Sequence, residues 1–332
     1  MIPGGHENIG AVVIGRNEGA RLKRCLASVL SQIGHVVYVD SGSTDGSTDF
    51  ARTLGIEALD LDMSSPFSAG RARNAGFEGL KSRLPQLEYV QFIDGDCELC
   101  EGWVEVAEAF LRSNSSHAIV AGRVKERHPE RSVYNALCDI EWHRPSGDVT
   151  SCGGIFFARS EAFSSAGGFN PSMIAGEEPE LCLRLRAGGM KICSLDYQMT
   201  LHDADMLHFW QWWKRTVRGG YAYAHRLSLK GRKSDAALLR ATLRIWFWSL
   251  GIPGLAALAA VMIGPWALVL LLSYLVPLYR GYNGSLMQGN DRRASFRYSL
   301  FNVLGKWPEL LGQMDFLFKR ALGRKFTIIE HK

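Results

Sequence analysis

Between residues 9 and 100 short apolar runs alternate with amphipathic stretches. Residues 11–14, 36–39 and 90–93 are too short for core helices and rich in β-branched side chains, so each predicts a strand buried on both faces. Residues 20–31 set Leu22, Leu26, Val29 and Leu30 on one side of a helical period and predict an amphipathic helix. A second helix over 47–54 opens on a cap rich in Ser, Thr and Asp, a third covers 71–83, and Ile155-Phe156-Phe157 reads as a further strand. Alternation of this kind predicts an α/β fold, a Rossmann-like, mostly parallel sheet with flanking helices and a ligand crevice at the carboxyl ends of the strands. No internal repeat or low-complexity segment interrupts it.

Past residue 205 the pattern changes. From Phe209 to Lys233 aromatic and basic residues interleave, with Trp210, Trp212 and Trp213 followed by Lys214, Arg215, Arg218 and Arg226, as suits a helix at the headgroup level of a membrane. Between Arg244 and Arg280 lie 35 residues without one charged side chain. A single straight helix of that length would reach about 52 Å, against a bilayer core of about 30 Å. Two short spans, 245–262 and 265–280, turning at Gly264-Pro265, fit the arithmetic. A re-entrant or interfacial pair, suggested by Pro253-Gly254, and a buried soluble hairpin are the alternatives. The expected organisation is a catalytic domain over 1–205, an amphipathic interfacial segment over 206–240, a transmembrane hairpin over 241–282 and a basic cytoplasmic segment over 283–332.

Charge sharpens that division. Residues 1–205 hold 19 Lys/Arg against 28 Asp/Glu, and residues 206–332 hold 19 against 5, within a chain of net charge +5. A basic C-terminal third suits an anionic membrane surface. No zinc-finger, helix-turn-helix or RNA-binding signature accompanies the charge, so nucleic acid is not an expected partner. Arg240 and Arg244 before the apolar pair, with Arg280, Arg292, Arg293 and Arg297 after it, put both ends on the cytoplasmic side. Met1 to Asn8 is polar and the next apolar run is only 9–14, so no signal peptide is expected and the catalytic part should stay in the cytosol, at the inner membrane. The seven cysteines make no secretory framework, and Cys97-Glu98-Leu99-Cys100 is a lone C-x-x-C.

The candidate chemistry begins with Asp94-Gly95-Asp96 directly after a strand. Two carboxylates one residue apart can chelate Mg²⁺ or Mn²⁺ while diphosphate oxygens fill the remaining positions; a plain strand-ending turn is the alternative. Asp40 ends the second strand before a run of Ser, Gly and Thr, where a ligand contact and an ordinary turn both fit. Arg71, Arg73 and Asn74 open a helix, which suits phosphate oxygens. Glu177-Glu178 offers a base for an acceptor hydroxyl, or acidic residues complementing a helix N-terminus.

The ordered set Ala11-Val12-Val13-Ile14-Gly15-Arg16-Asn17-Glu18, Val39-Asp40-Ser41-Gly42-Ser43-Thr44-Asp45-Gly46-Ser47, Gly70-Arg71-Ala72-Arg73-Asn74, Asp94/Asp96, Gly153-Gly154 through Phe169, and Glu177-Glu178-Pro179-Glu180-Leu181 resembles the family-2 glycosyltransferases of GT-A fold, over roughly residues 8–225. The resemblance implies that Asn17, Glu18, Asp40, Ser41, Arg73, Asn74, Asp94, Gly95, Gly153 and Gly154 surround a nucleotide-sugar donor. Asp96 and Asp94, with His202 downstream, would hold the divalent cation. The family's acidic pair is usually Glu-Asp with the second residue as base; here that residue is Glu178, one methylene longer, so Glu177 remains its rival. Trp142 and His143 would line the acceptor side, joined by Trp212 and Trp213, whose Gln211-Trp212-Trp213-Lys214-Arg215 is loosely similar to a motif of processive members but departs in spacing.

The resulting expectation is a metal-dependent inverting glycosyltransferase, with UDP-hexose as favoured donor and a lipid-linked saccharide as acceptor, in assembly of a surface polysaccharide or glycolipid. A polyprenyl-phosphate sugar synthase and an inactive nucleotide-binding scaffold at the membrane are the alternatives.

Overall fold

The computed structural model of the chain describes residues 7–229 and 236–324. The polar start of the chain before residue 7, the end of the aromatic and basic segment at 230–233, and the last part of the basic tail, 325–332, lie outside the described residues. The chain divides into two units, Met1–His128 with Glu141–Asp205, and Pro129–Ile140 with Met206–Lys332.

The first unit is built on one mixed sheet. β1 (Ile9–Gly15), α1 (Ala20–Leu30), β2 (His35–Asp40), α2 (Ser47–Thr53), β3 (Glu57–Asp60), α3 (Ala69–Arg83) and β4 (Tyr89–Asp94) follow in order, and β3, β2, β1 and β4 lie side by side in parallel. Helices separate these strands because each apolar run needs a crossover to return parallel. Leu22, Cys25, Leu26 and Val29 form the buried stripe of α1 that seals one face. β5 (Cys97–Leu99), α4 (Trp103–Ser113), β6 (His117–Glu126), α5 (Val133–Trp142), β7 (Gly147–Asp148), β8 (Phe156–Arg159), α6 (Ser160–Ser165), α7 (Glu177–Ala187) and β9 (Lys191–His202) complete the order, most of α5 being grouped with the second unit. β8 inserts antiparallel between β4 and β6, β9 runs parallel to β6, and β5 pairs antiparallel with β9. Half the sheet is thus not parallel, a departure from strict strand–helix alternation.

The second unit is helical: α8 (Phe209–Ser228), α9 (Ala236–Trp246), α10 (Ile252–Ile263), α11 (Leu275–Met287), α12 (Arg292–Leu304) and α13 (Lys306–Ala321). α8 and α13 approach to backbone contact, since a Cβ on Gly220 would strike the Glu309 carbonyl and one on Gly312 the Val217 carbonyl. The chain turns at Gly264-Pro265, between two unequal limbs where the sequence predicts a pair of transmembrane helices. A single helical run, Ala236–Ile263, is long and apolar enough to cross a membrane among the described residues, by length and composition. Its partner is a ten-residue 3₁₀ helix, Pro265–Tyr274, running into α11. The break follows from Pro265, which lacks the N–H and fixes φ at the start of the second limb.

Candidate active site

The carboxyl ends of β1, β2 and β4 share one edge, because Gly15 pairs with Asp40 and Ile14 with Asp94. Two loops are laced together there. Asn17, at φ 55°, accepts the Thr44 N–H at 2.8 Å through its side chain and donates its own N–H to Ser43 Oγ at 2.8 Å. Glu18 pairs with Arg21 at 2.8 Å, and the Ser41 N–H reaches the Gly15 carbonyl at 3.1 Å. Asp40 is 2% exposed. Its carboxylate accepts the Gly42 and Ser43 N–H groups at 2.9 and 2.6 Å and the Tyr38 hydroxyl at 2.8 Å. Burial, then this carboxylate, pushes the Tyr38 hydroxyl far above its ordinary range, so the phenol stays a donor. These bonds make Asp40 the anchor of the turn that follows β2.

Arg73 joins the Asp94 motif to the Glu177 motif. Its guanidinium, 2% exposed, donates to Asp94 Oδ1 at 2.7 Å and Glu177 Oε1 at 3.0 Å. Burial alone would lower its pKa, but the two carboxylates together raise it, so the charge is permanent. Gly154 permits this reach, because a Cβ there would sit 2.5 Å from Arg73 Nη2. Gly153 turns the same loop at φ 91°. Arg73, expected beside a diphosphate, is bound here to carboxylates, and Asn74 clamps the Phe169 backbone, accepting its N–H at 2.9 Å and donating to its carbonyl at 2.8 Å. Both side chains face inward because the helix they open packs its first turn against α7 and the loop before it.

Asp96 and His202 meet through strand register. Cys97 opposes His202 in the β5–β9 ladder, and the Asp203 N–H donates to the Asp96 carbonyl at 2.9 Å. The Asp96 carboxylate, with Gly95 turning beneath it against the Ile14 carbonyl, lies 3.5 Å from His202 Nε2. Buried Glu126 stands 3.7 Å from His202 Nδ1. Asp96, Cys97 and His202 bring one ligand atom each within 4.8 Å of one another. A carboxylate beside an imidazole fits Mn²⁺, and Mg²⁺ through the oxygen donor; the Cys97 thiol, driven well above its ordinary pKa by burial and then by Asp96, is not a ligand for such hard ions. Asp94, the other expected ligand, is paired with Arg73. Trp142 lies edge-on to His202, centroids 4.3 Å apart, and His143 is exposed beside it.

Glu178 is 5% exposed at the N-terminus of α7. Its Oε1 gathers three donors: the Cys152 N–H at 2.6 Å, the Cys182 thiol at 2.9 Å and the Cys152 thiol at 3.4 Å. Glu180 is taken by Arg184 through both oxygens and anchors α7 instead.

The sequence profile of glycosyl transferase family 2 matches residues 11–157. Those residues are a family 2 glycosyl transferase domain. The chain is 27% identical over 214 residues to a pre-mycofactocin glycosyltransferase of Mycobacterium tuberculosis, which is 60% of this chain and 43% of that one. It is 32% identical over 144 residues to a TPR repeat-containing protein of Synechococcus elongatus, 41% of this chain and 34% of that one. The chain therefore spans less than half the length of these relatives. A mannosyltransferase, PcManGT from Pyrobaculum calidifontis, solved with GDP-Man and Mn²⁺, superposes with TM-score 0.60 at 14% identity, covering 94% of this chain and 88% of that one. Staphylococcus aureus TarS 1–349, solved with UDP-GlcNAc, gives 0.50 at 13% identity, covering 96% and 92%. Such likeness establishes the GT-A fold.

Trp212 and Trp213, expected on the acceptor side, belong to the helical unit. Trp212 is 3% exposed and packs in the helical unit against Phe301, centroids 4.9 Å apart, and Trp213 stacks within the cluster of Phe209, Trp210 and Trp212. Trp212 buries because α8 turns that face toward α12, while Trp213 stays half-buried. Three residues of the site went unread in the sequence: Cys152, Cys182 and Glu126. The spacing of Glu178 and Cys182, i and i+4 on one helix, was a legible signal; Cys152 and Glu126 arrive through long-range packing and carry none.

Proposed function

We propose that the chain is a metal-dependent inverting glycosyltransferase that moves a hexose, UDP-linked by preference, to a lipid-linked saccharide at the cytoplasmic face of the inner membrane, in surface polysaccharide or glycolipid assembly. The observation that carries this reading is the convergence, within a family 2 domain, of Asp96 with His202 and of Glu178 with the Asp94–Arg73–Glu177 bridge. The fold neighbours solved with GDP-Man and Mn²⁺ and with UDP-GlcNAc support a nucleotide-sugar donor and a divalent cation. A cation held by Asp96 and His202 would offset diphosphate charge on the leaving group.

Inversion needs a base opposite the departing diphosphate. Glu177 is committed to Arg73, whereas the donors on Glu178 converge on one oxygen and leave Oε2 to take the acceptor proton. The thiols and the Cys152 N–H orient that carboxylate without consuming it. The exposed apolar surface of the helical unit supports the membrane and the lipid-linked acceptor.

The test is incubation of membranes containing the chain with a panel of nucleotide sugars and Mn²⁺ or Mg²⁺, followed by extraction of lipid products. A sugar added to a lipid-linked saccharide with inverted anomeric configuration is expected. Sugar attached directly to a lipid phosphate would replace the acceptor reading, and hydrolysis or binding without transfer would overturn the proposal.

A further inference from the structure

The uncharged stretch of the helical unit is a hairpin with an apolar tip. α10 descends for 12 residues to Gly264, and the 3₁₀ helix Pro265–Tyr274 returns alongside it. Val261 at the turn is 86% exposed and Met262 73%, with Ile263 and Trp266 also open. No acidic or basic residue lies between Arg244 and Arg280, so nothing at the turn is suited to water.

The base of the hairpin is different. The Trp248, Tyr274 and Trp307 rings pack in sequence, the first pair tilted and the second stacked, centroids 5.4 and 5.6 Å apart. Polar groups there are tied to α13: Trp246 Nε1 donates to Gln313 at 2.7 Å, and Ser249 Oγ to the Lys306 carbonyl at 2.6 Å. Lys306 pairs with Glu309 at 2.7 Å on the same helix. A ring belt beside satisfied polar groups and an ion pair has the chemistry of a membrane interface.

Lengths then decide the depth. Beyond that belt α10 reaches about 18 Å at 1.5 Å per residue, and the 3₁₀ limb about 20 Å at 2.0 Å per residue. From one interface to the other a bilayer measures about 40 Å. Both limbs therefore end near the midplane. A hairpin that crossed would have to present Val261, Met262 and Trp266 to water on the far side.

We infer that residues 252–274 form a monotopic hairpin that dips into one leaflet of an anionic bilayer and does not cross it. This rests on the membrane reading above and fixes how that membrane is engaged. Arg240 and Arg244 at one end, with Arg280, Arg292, Arg293 and Arg297 at the other, return both limbs to the same cationic side, matching anionic headgroups. The outward Phe296, Leu300, Leu304 and Leu311 of α12 and α13 extend the apolar surface beside the hairpin base.

The test uses the full chain and sealed vesicles of phosphatidylcholine and phosphatidylglycerol. The wild-type chain should float with the vesicles. Met262→Cys, at an exposed position that leaves the fold alone, should resist a membrane-impermeant maleimide supplied outside or trapped inside, above the wild-type background, and react fully once detergent is added. Met262→Lys should lower the vesicle-bound fraction at least tenfold, because a charge at the midplane is costly while one in the far aqueous phase is not. Labelling of Met262→Cys from either side of intact vesicles, or unchanged flotation of Met262→Lys, would overturn the dip while leaving membrane association standing. A wild-type chain that stays soluble without detergent and fails to float, alone or as an oligomer closed on this patch, would overturn the membrane reading itself.

Discussion

Arg73→Leu tests whether the buried guanidinium is the strut of the site. Arg73 is enclosed and bonded to Asp94 at 2.7 Å and Glu177 at 3.0 Å, with those side chains 33% and 15% exposed. Removing one partner of a buried ion pair costs about 3–5 kcal/mol, because the remaining charge is left without compensation. Asp94 touches solvent, which returns part of that, so the lower end applies: about 3 kcal/mol, or roughly 6–12 °C in the melting temperature of a unit this size. The assay is thermal and urea unfolding followed by far-ultraviolet circular dichroism. Arg73→Lys should fall between, since an ammonium is a compact charge without the planar fork that serves two carboxylates. The triple change Arg73→Leu, Asp94→Asn, Glu177→Gln should recover much of the loss, because no charge is stranded. Arg73→Leu within about 1 kcal/mol of wild type would refute the reasoning, as would a triple variant no better than the single one, since the cost would then come from packing rather than charge.

Glu178→Gln keeps size and should lower transfer by about 10²-fold or more, as loss of a general base does, with donor binding nearly unchanged; Glu177→Gln should instead weaken the Arg73 bridge and lower stability. Steady-state kinetics with unfolding curves separates them, and transfer abolished only in Glu177→Gln would move the base by one residue. Asp96→Ala should remove Mn²⁺-dependent nucleotide binding, read by calorimetry, with the fold intact; activity unaffected by EDTA would sink the metal role. His225, stacked on Phe316 at 5.2 Å, has its pKa lowered by burial and then by Arg320. The neutral imidazole is the folded form, so its contribution is full above pH of about 6.5 and is lost as the pH falls through the depressed value. His225→Phe should flatten the pH dependence of stability just below 6.5, and an unchanged profile would contradict the assignment.

Much of the first unit was legible because it rests on local rules. The runs before Gly15, Asp40 and Asp94 are short, apolar and β-branched, and the stripe of α1 repeats at helical spacing, so strand, helix and the carboxyl edge follow from period alone. Glu177-Glu178 at the start of a helix, and the turn at Gly264-Pro265, were likewise written in neighbouring residues. Their partnerships were not. Whether Arg73 faces a phosphate or two carboxylates depends on α3 packing its first turn toward α7, and whether His202 meets Asp96 depends on the register of β5 against β9. Trp212 had the composition of an interfacial ring and became core because α8 turned it inward, while Val261 and Met262, equally apolar, were left outside. Period and propensity act over a few residues and select elements. Facing, pairing and burial are settled by contacts between segments up to a hundred or more positions apart, and those contacts exist only in the folded chain.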